Sequence, residues 1–330
     1  MAIRLKTRVI LWGRAAACCS FPGCNHDLVM DATETDDESL VGDIAHIVAE
    51  SEDGPRGKSD VGPEERNEYP NLILLCKIHH KLVDDQPSTY TVEKLHEFKR
   101  AHEGKIRSVH SPDDLAQQRA KEVYASFVDE WEAMARIDGW KAWTSFMLAA
   151  NGPSINLDIG NSLVATVEWI LNRIWPKEFV EMEAAFENFR LVLGDLLNVF
   201  HLYSERKDDR YYTRRFYRIH DWDPDRYHEL LDSYEYHVRL VADLVLELTR
   251  AANLVCDMVR RYLDPSFRMR EGILLVESGP YAPDLSIRVH RVEYRQAERA
   301  GKPYPGLEKF ETLRLTRDHH FGGLPKKGDA

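Results

Sequence analysis

The sequence predicts an α+β protein in two parts: a small, metal-stabilised N-terminal domain and a mainly α-helical domain that carries a short β-hairpin near its C-terminus. Three observations lead there. Cysteine, histidine and turn residues crowd into the first hundred positions. Apolar residues then recur at helical spacing from about Leu115 to Leu263. After Gly272 the pattern changes to two strand-like runs, GILLVES and LSIRVHRVEY, separated by the turn-rich GPYAPD. The expected boundaries are a domain over 1–105, a polar linker over 106–114, and a second domain over 115–330 with a β element near 272–295.

A chain of 330 residues is long enough for two cores. No apolar run reaches the roughly 18 residues of a membrane helix, and Arg8 and Arg14 interrupt the apolar N-terminus, so no targeting segment and a cytoplasmic location are expected. The net charge of −11 excludes a uniformly basic nucleic-acid binder. Acidic residues cluster at Asp31, Glu34, Asp36, Asp37 and Glu38, and carboxylates are also what divalent ions need.

Five cysteines, three of them within seven residues, do not form a disulfide framework; close pairs point to metal instead. In CSFPGC, the Pro22–Gly23 turn lets Cys19 and Cys24 converge on one ion. In LLCKIHH, Cys76 and His79 repeat the pattern. Together they make a Cys3His structural zinc site. Cys18 competes with Cys19, and the start of the turn favours Cys19.

Between and beside these pairs lie the residues that carry chemistry. GDIAHIVAE reads as a strand with His46 near its end. NEYPNLILLC places Asn71 at a turn before a second apolar run. In IHHKLVDD, His80 and Asp84 are four apart and share a helix face, where they could bind one divalent ion. The ordered His46, Asn71 and His80 flanked by Cys pairs, in the block AHIVAESEDGPRGKSD…EERNEYPNLILLCKIHHKLVD, resembles the HNH endonuclease family and its ββα-metal fold. It looks like the HNH domains of prokaryotic restriction and anti-phage effector nucleases. The resemblance covers about a third of the chain.

That resemblance implies roles. His46 would be the general base that takes a proton from the attacking water; an imidazole, with an ordinary pKa of about 6.5, suits the task. Asn71 would hold His46 or the finger loop through backbone hydrogen bonds. His80 would be a ligand of a catalytic Mg²⁺ or Mn²⁺. Many members carry an acidic residue just before the first histidine, where this chain has Ala45. Asp43, on the same strand face, and Asp84 are the two candidate carboxylate ligands. The departure also keeps a second reading open: an inactive, zinc-stabilised module that binds nucleic acid or protein.

DNA contacts are expected from Arg56 in the Gly54–Pro55–Arg56 loop and from Lys94, Lys99 and Arg100 on a helix capped by Thr91; a solvated face explains these residues equally well. In the second part, Asp223 and Pro224 open a long amphipathic helix that could pair two copies of the chain. The segment from Arg206 to Arg218 interleaves arginine with tyrosine and phenylalanine. It could suit single strands or a nucleotide, but the favoured reading is an ordinary helix connection with ion pairs to Asp208, Asp209, Asp221 and Asp223. His319–His320 reads as a polar tail element and KKGDA as a disordered end. The expected whole is a DNA-cutting effector, a homo-oligomer whose second domain takes a regulatory ligand or partner protein.

Overall fold

The computed structural model describes residues 3–30, 39–149, 151–221, 223–281, 283–299 and 301–322. The acidic cluster of residues 31–38 and the KKGDA end lie outside them. The chain is mixed α/β with small antiparallel sheets and divides into two compact units, Met1–Asp129 and Glu130–Ala330. The division falls later than the expected boundary. The segment read as a linker is helical on both sides of a break at His110–Ser111.

In the first unit, helix α1 (Leu5–Arg14) opens without a cap of its own. Asp129 supplies one from far along the chain: its two oxygens accept from the Leu5 and Lys6 amides, each at 3.0 Å. That satisfies two of the donors a helix start leaves open. Short strands β1 (Val29–Met30) and β2 (Ser39–Leu40) pair antiparallel. Strands β3 (Gly42–His46) and β4 (Leu72–Cys76) pair over five residues, with Asp43 opposite Leu75 and His46 opposite Leu72. Gly42 is required where β3 passes Leu28, because a Cβ there would come within 2.7 Å of the leucine side chain. Helix α2 (Lys77–Asp85) leaves β4 directly, and α3 (Val92–Val109) follows, its Thr91 hydroxyl accepting from the Lys94 amide as the capping pattern predicts. Helix α4 (Pro112–Met134) crosses the division between the units.

The core of this unit is built where α1, β3, β4, α2 and α3 meet. Leu11, Leu28, Ile47, the run Leu72–Leu75, Val83 and Leu95 are all at most 1% exposed. LILLC is buried along its whole length, which is why β4 reads as a continuous apolar run rather than an alternating one. The two arginines of the intervening loop act as staples. Arg66 Nη1 donates to Ala49 O (2.6 Å) and Nη2 to Gly57 O (3.0 Å). Arg56 sits at a left-handed φ of 58° and donates to Ile47 O (2.7 Å) and Val83 O (2.6 Å). Those bonds offset the roughly 1–2 kcal/mol that a side chain costs in that conformation.

The second unit is helical around an α7–α8 pair: α5 (Trp140–Met147), α6 (Leu157–Leu171), α7 (Val180–Leu202) and α8 (Pro224–Tyr262). Asp223 caps α8 through the amides of Asp225 and Arg226, as expected. From His237 onward α8 is mostly buried, so that part of the helix is core and not a seam between copies. The Arg206–Arg218 segment is no plain helix connection. It begins as a hairpin of β6 (Ser204–Lys207) and β7 (Arg210–Thr213), which is joined by β5 (Ser154–Asn156) into a sheet of order β5–β7–β6. Arg206 meets Asp208 through its carbonyl, and Arg210 lies over the Phe146 ring. The C-terminal hairpin forms as β8 (Leu275–Tyr281) and β9 (Ser286–Arg291), followed by short helices α9 (Gln296–Arg299) and α10 (Leu307–Leu313).

His319 is exposed, as a polar end element should be. The stretch that carries it is fastened to α8 by buried ion pairs. Arg314 meets Asp243 (2.6 Å), Arg317 forks Glu247 (2.6 and 3.1 Å), and Arg250 meets Asp318 (2.6 Å) and His319 O (3.2 Å). Tyr294 closes the network on Glu247 (2.9 Å). Among the described residues no helix is long and apolar enough to cross a membrane.

Candidate metal centres

Two sets of side chains meet where β3, β4 and α2 join. The first is Cys19, Cys24, Cys76 and His79, whose ligand atoms all lie within 4.8 Å of one another; among the described residues it is the one group of three or more His, Cys, Asp or Glu side chains that converges so closely. The turn that makes it is local. Cys24 N–H donates to Phe21 O (3.1 Å), and Gly23 takes a φ of +77°. Ser20 N–H ties the turn to β4 at Leu74 O (2.9 Å). The second half comes from the β4–α2 junction, which puts Cys76 Sγ 3.1 Å and Cys19 Sγ 3.6 Å from His79 Nδ1.

These separations bracket those around a tetrahedral ion. Zn–S bonds of about 2.3 Å and Zn–N bonds of about 2.0 Å require edges of about 3.5–3.8 Å. Three sulfurs and one imidazole are a closed, structural donor set. Phe21 stacks on the His79 ring at 3.9 Å and orients it. Burial keeps His79 below its ordinary pKa, so the ring is neutral, as a ligand must be. Burial also pushes the Cys19 thiol up to about 12; without a cation nearby it would stay protonated, and a bound dication reverses that. Cys18 is outside the group: its backbone pairs with Asp27 and its side chain is half-buried elsewhere. The group is compatible with structural zinc.

The second set is the candidate catalytic one. His80, one turn into α2, stands between two carboxylates. Its Nδ1 is 3.2 Å from Asp43 Oδ2 on β3, and its Nε2 is 3.4 Å from Asp84 Oδ2 one turn later. Because each ring nitrogen faces a different carboxylate, the three do not chelate a single point. Asn71, 5% exposed, accepts from Val48 N–H (2.9 Å) and donates to Val48 O (2.8 Å) and Arg66 O (2.9 Å). It clamps the chain just after His46. His46 Nε2 lies 2.8 Å from Asn67 Oδ1. Asn67 stands in the same ERNEYPN block as Asn71, where no local pattern marks it as a partner of His46.

Two expected DNA contacts are corrected. Arg56 has a side chain only 4% exposed, and its fork is used up on Ile47 O, Val83 O and Asp84 Oδ1 (2.8 Å). Lys99 is 5% exposed, donating to Leu72 O (2.7 Å) and Tyr69 O. Both are structural cations. Arg100 is exposed and Lys94 half-exposed, with Lys94 lying over the Tyr90 ring. Compared with known proteins, the chain matches no family model and no curated protein.

Proposed function

We propose that the first unit is a metal-dependent endonuclease of the HNH type that hydrolyses DNA phosphodiester bonds. The reading is carried by one observation: Asp43 on β3 and His80 on α2 face each other at 3.2 Å beside a Cys3His group. That separation suits two neighbouring ligands of an octahedral ion with bonds of about 2.1 Å, whose edges are about 3.0 Å. The carboxylate is a donor that Mg²⁺ and Mn²⁺ take, and the imidazole is the softer donor that the resemblance to HNH domains adds to it.

In this reading the two carboxylates do different work. Asp43 pairs with Nδ1 and is the ligand that stands in for the acidic residue Ala45 replaces. Asp84 faces Nε2 and is itself held by Arg56. It orients the ring and fixes its tautomer, as outer partners of metal-bound histidines do. His80 and Asp43 would hold a divalent ion, which would supply charge stabilisation at the phosphoryl and leaving oxygens. His46 accepts the proton of the attacking water. Asn71 keeps the backbone after His46 in place through its three hydrogen bonds. The zinc group sits at the junction of β4 and α2 and secures the helix that carries His80.

The test is nicking of supercoiled plasmid by the purified full chain with Mg²⁺, with Mn²⁺ and with chelator. Cleavage that requires the added ion, and a His80→Ala defect partly relieved by raising Mn²⁺, is the expected result. The loss of Arg56 and Lys99 as DNA contacts, with the net charge of −11, favours a second reading, a zinc-stabilised binding module without activity. DNA retention with no metal-dependent nicking would select it.

A further inference from the structure

His46 can act as a base only through the ring nitrogen that carries no proton, and its neighbours decide which one that is. Asn67 Oδ1 is 2.8 Å from His46 Nε2, and Asn67 Nδ2 is 3.5 Å from Glu50 Oε1. An ionised carboxylate only accepts hydrogen bonds, so the amide NH₂ must be the end that faces Glu50. The amide oxygen therefore faces His46. A carbonyl oxygen also only accepts, so Nε2 must be the donor. The neutral ring then has its lone pair on Nδ1.

Asn67 and the backbone beside both residues are held firmly, while the Glu50 side chain reaches Asn67 from the exposed side. Asn67 is 8% exposed. Arg66 beside it holds Ala49 O at 2.6 Å, which fixes the residue before Glu50. Asn71 holds Arg66 O at 2.9 Å, which fixes the residue before Asn67. The hydrogen bond from Asn67 leads the influences that keep the Glu50 carboxyl below its ordinary pKa. Glu50 is thus a carboxylate at neutral pH and cannot donate back.

We infer that Glu50 and Asn67 form a positioning relay that fixes His46 in the Nε2–H tautomer and leaves Nδ1 as the proton-accepting atom. The inference rests on the nuclease reading for its consequence in catalysis, but the tautomer is measurable without substrate. Neither residue touches the reacting atoms. Their contribution is to keep the lone pair of the base in one direction; partners that orient metal-bound histidines in a comparable way contribute about 10–100-fold.

The experiment is a long-range proton–nitrogen correlation spectrum of the full-length, zinc-loaded chain labelled with ¹⁵N at the histidine rings. The His46 signals are identified by their loss in His46→Gln. Wild type should show Nε2–H. Asn67→Leu should show a mixture of tautomers and lose roughly 10–100-fold in plasmid cleavage. Asn67→Asp keeps an acceptor oxygen toward His46 and should keep the proton on Nε2. Glu50→Gln lets the Asn67 amide turn and should give the mixture again. If Asn67→Leu fails to retain zinc, the size-preserving Asn67→Asp and Glu50→Gln decide.

A wild-type proton on Nδ1, or an unchanged His46 signal in zinc-loaded Asn67→Leu, overturns the relay; an unchanged signal in Glu50→Gln removes Glu50 from it. Nε2–H in a wild type that never cleaves would sink the nuclease reading and leave the relay standing. Cleavage with the other tautomer would sink the relay alone.

Discussion

Arg56 Nη2 donates to Asp84 Oδ1 at 2.8 Å, while the other oxygen of Asp84 faces His80 Nε2. One guanidinium thus couples the loop after β3 to the helix that carries the candidate metal ligand. Its role is structural, and this gives the first prediction. Arg56→Ala leaves Ile47 O and Val83 O without donors and should cost about 2–4 kcal/mol in urea unfolding, since each buried polar group left unpaired costs about 1–3 kcal/mol. Arg56→Lys should restore little, because an ammonium cannot reproduce the fork. The salt dependence of DNA binding should keep its slope; a fall by about one unit would return Arg56 to the phosphate backbone.

The Cys3His group predicts opposite outcomes for neighbouring cysteines. Cys76→Ser should reduce bound zinc from about one ion per chain to about none and abolish the cooperative melting of the first unit, because structural zinc supplies folding free energy directly. Cys18→Ser should change neither. Metal analysis beside thermal melting decides, and zinc loss in Cys18→Ser would move the ligand assignment.

Lys99 makes stability depend on alkaline pH. Burial lowers its ammonium to a pKa of about 8 from an ordinary 10.5, against the pull of Glu103 and with Arg14 adding to the lowering. Tyr69, whose carbonyl and ring it meets, is itself pushed up to about 12, first by burial and then by Glu103. Below pH 8 both folded and unfolded chains carry the charge, and the folded state bears the cost of burying it. Between about 8 and 10.5 the unfolded chain holds more protons, so stability rises with pH in that window. Relative to Lys99→Met, wild type should gain about 2–3 kcal/mol from pH 8 to 10.5. Paired urea titrations check this; a constant difference would contradict it.

Arg317→Ala should destabilise the second unit by about 3–5 kcal/mol, because Glu247 is fully buried and would lose its forked partner. Residues 303–322 should then become accessible to protease. An unchanged digestion pattern would show that the other ion pairs hold the segment alone.

Much of the site was legible in the residues themselves. The Pro22–Gly23 turn and the CxxH spacing were enough to pick out the four side chains of the Cys3His group. The caps at Thr91 and Asp223 were readable because capping is local chemistry. What escaped was long-range. Asp129 capping α1 across the chain leaves no local trace, and neither does Asn67 reaching back to His46. Burial was the other failure. A Gly-Pro-Arg loop and a lysine on an amphipathic helix look the same whether the cation faces solvent or carbonyl oxygens, and only the tertiary fold turns Arg56 and Lys99 inward. In the second unit, short strands such as β5 and β6 carry too few residues to show a period of two within an otherwise helical stretch.

The most direct test of the central claim is His46→Ala against wild type in metal-dependent plasmid nicking, with contaminating nuclease excluded by a mock purification. The account predicts that the variant keeps its zinc, its melting and its affinity for Mn²⁺ and DNA, while cleavage falls by roughly 10²–10⁴. Near-normal, metal-dependent cleavage by His46→Ala would contradict it.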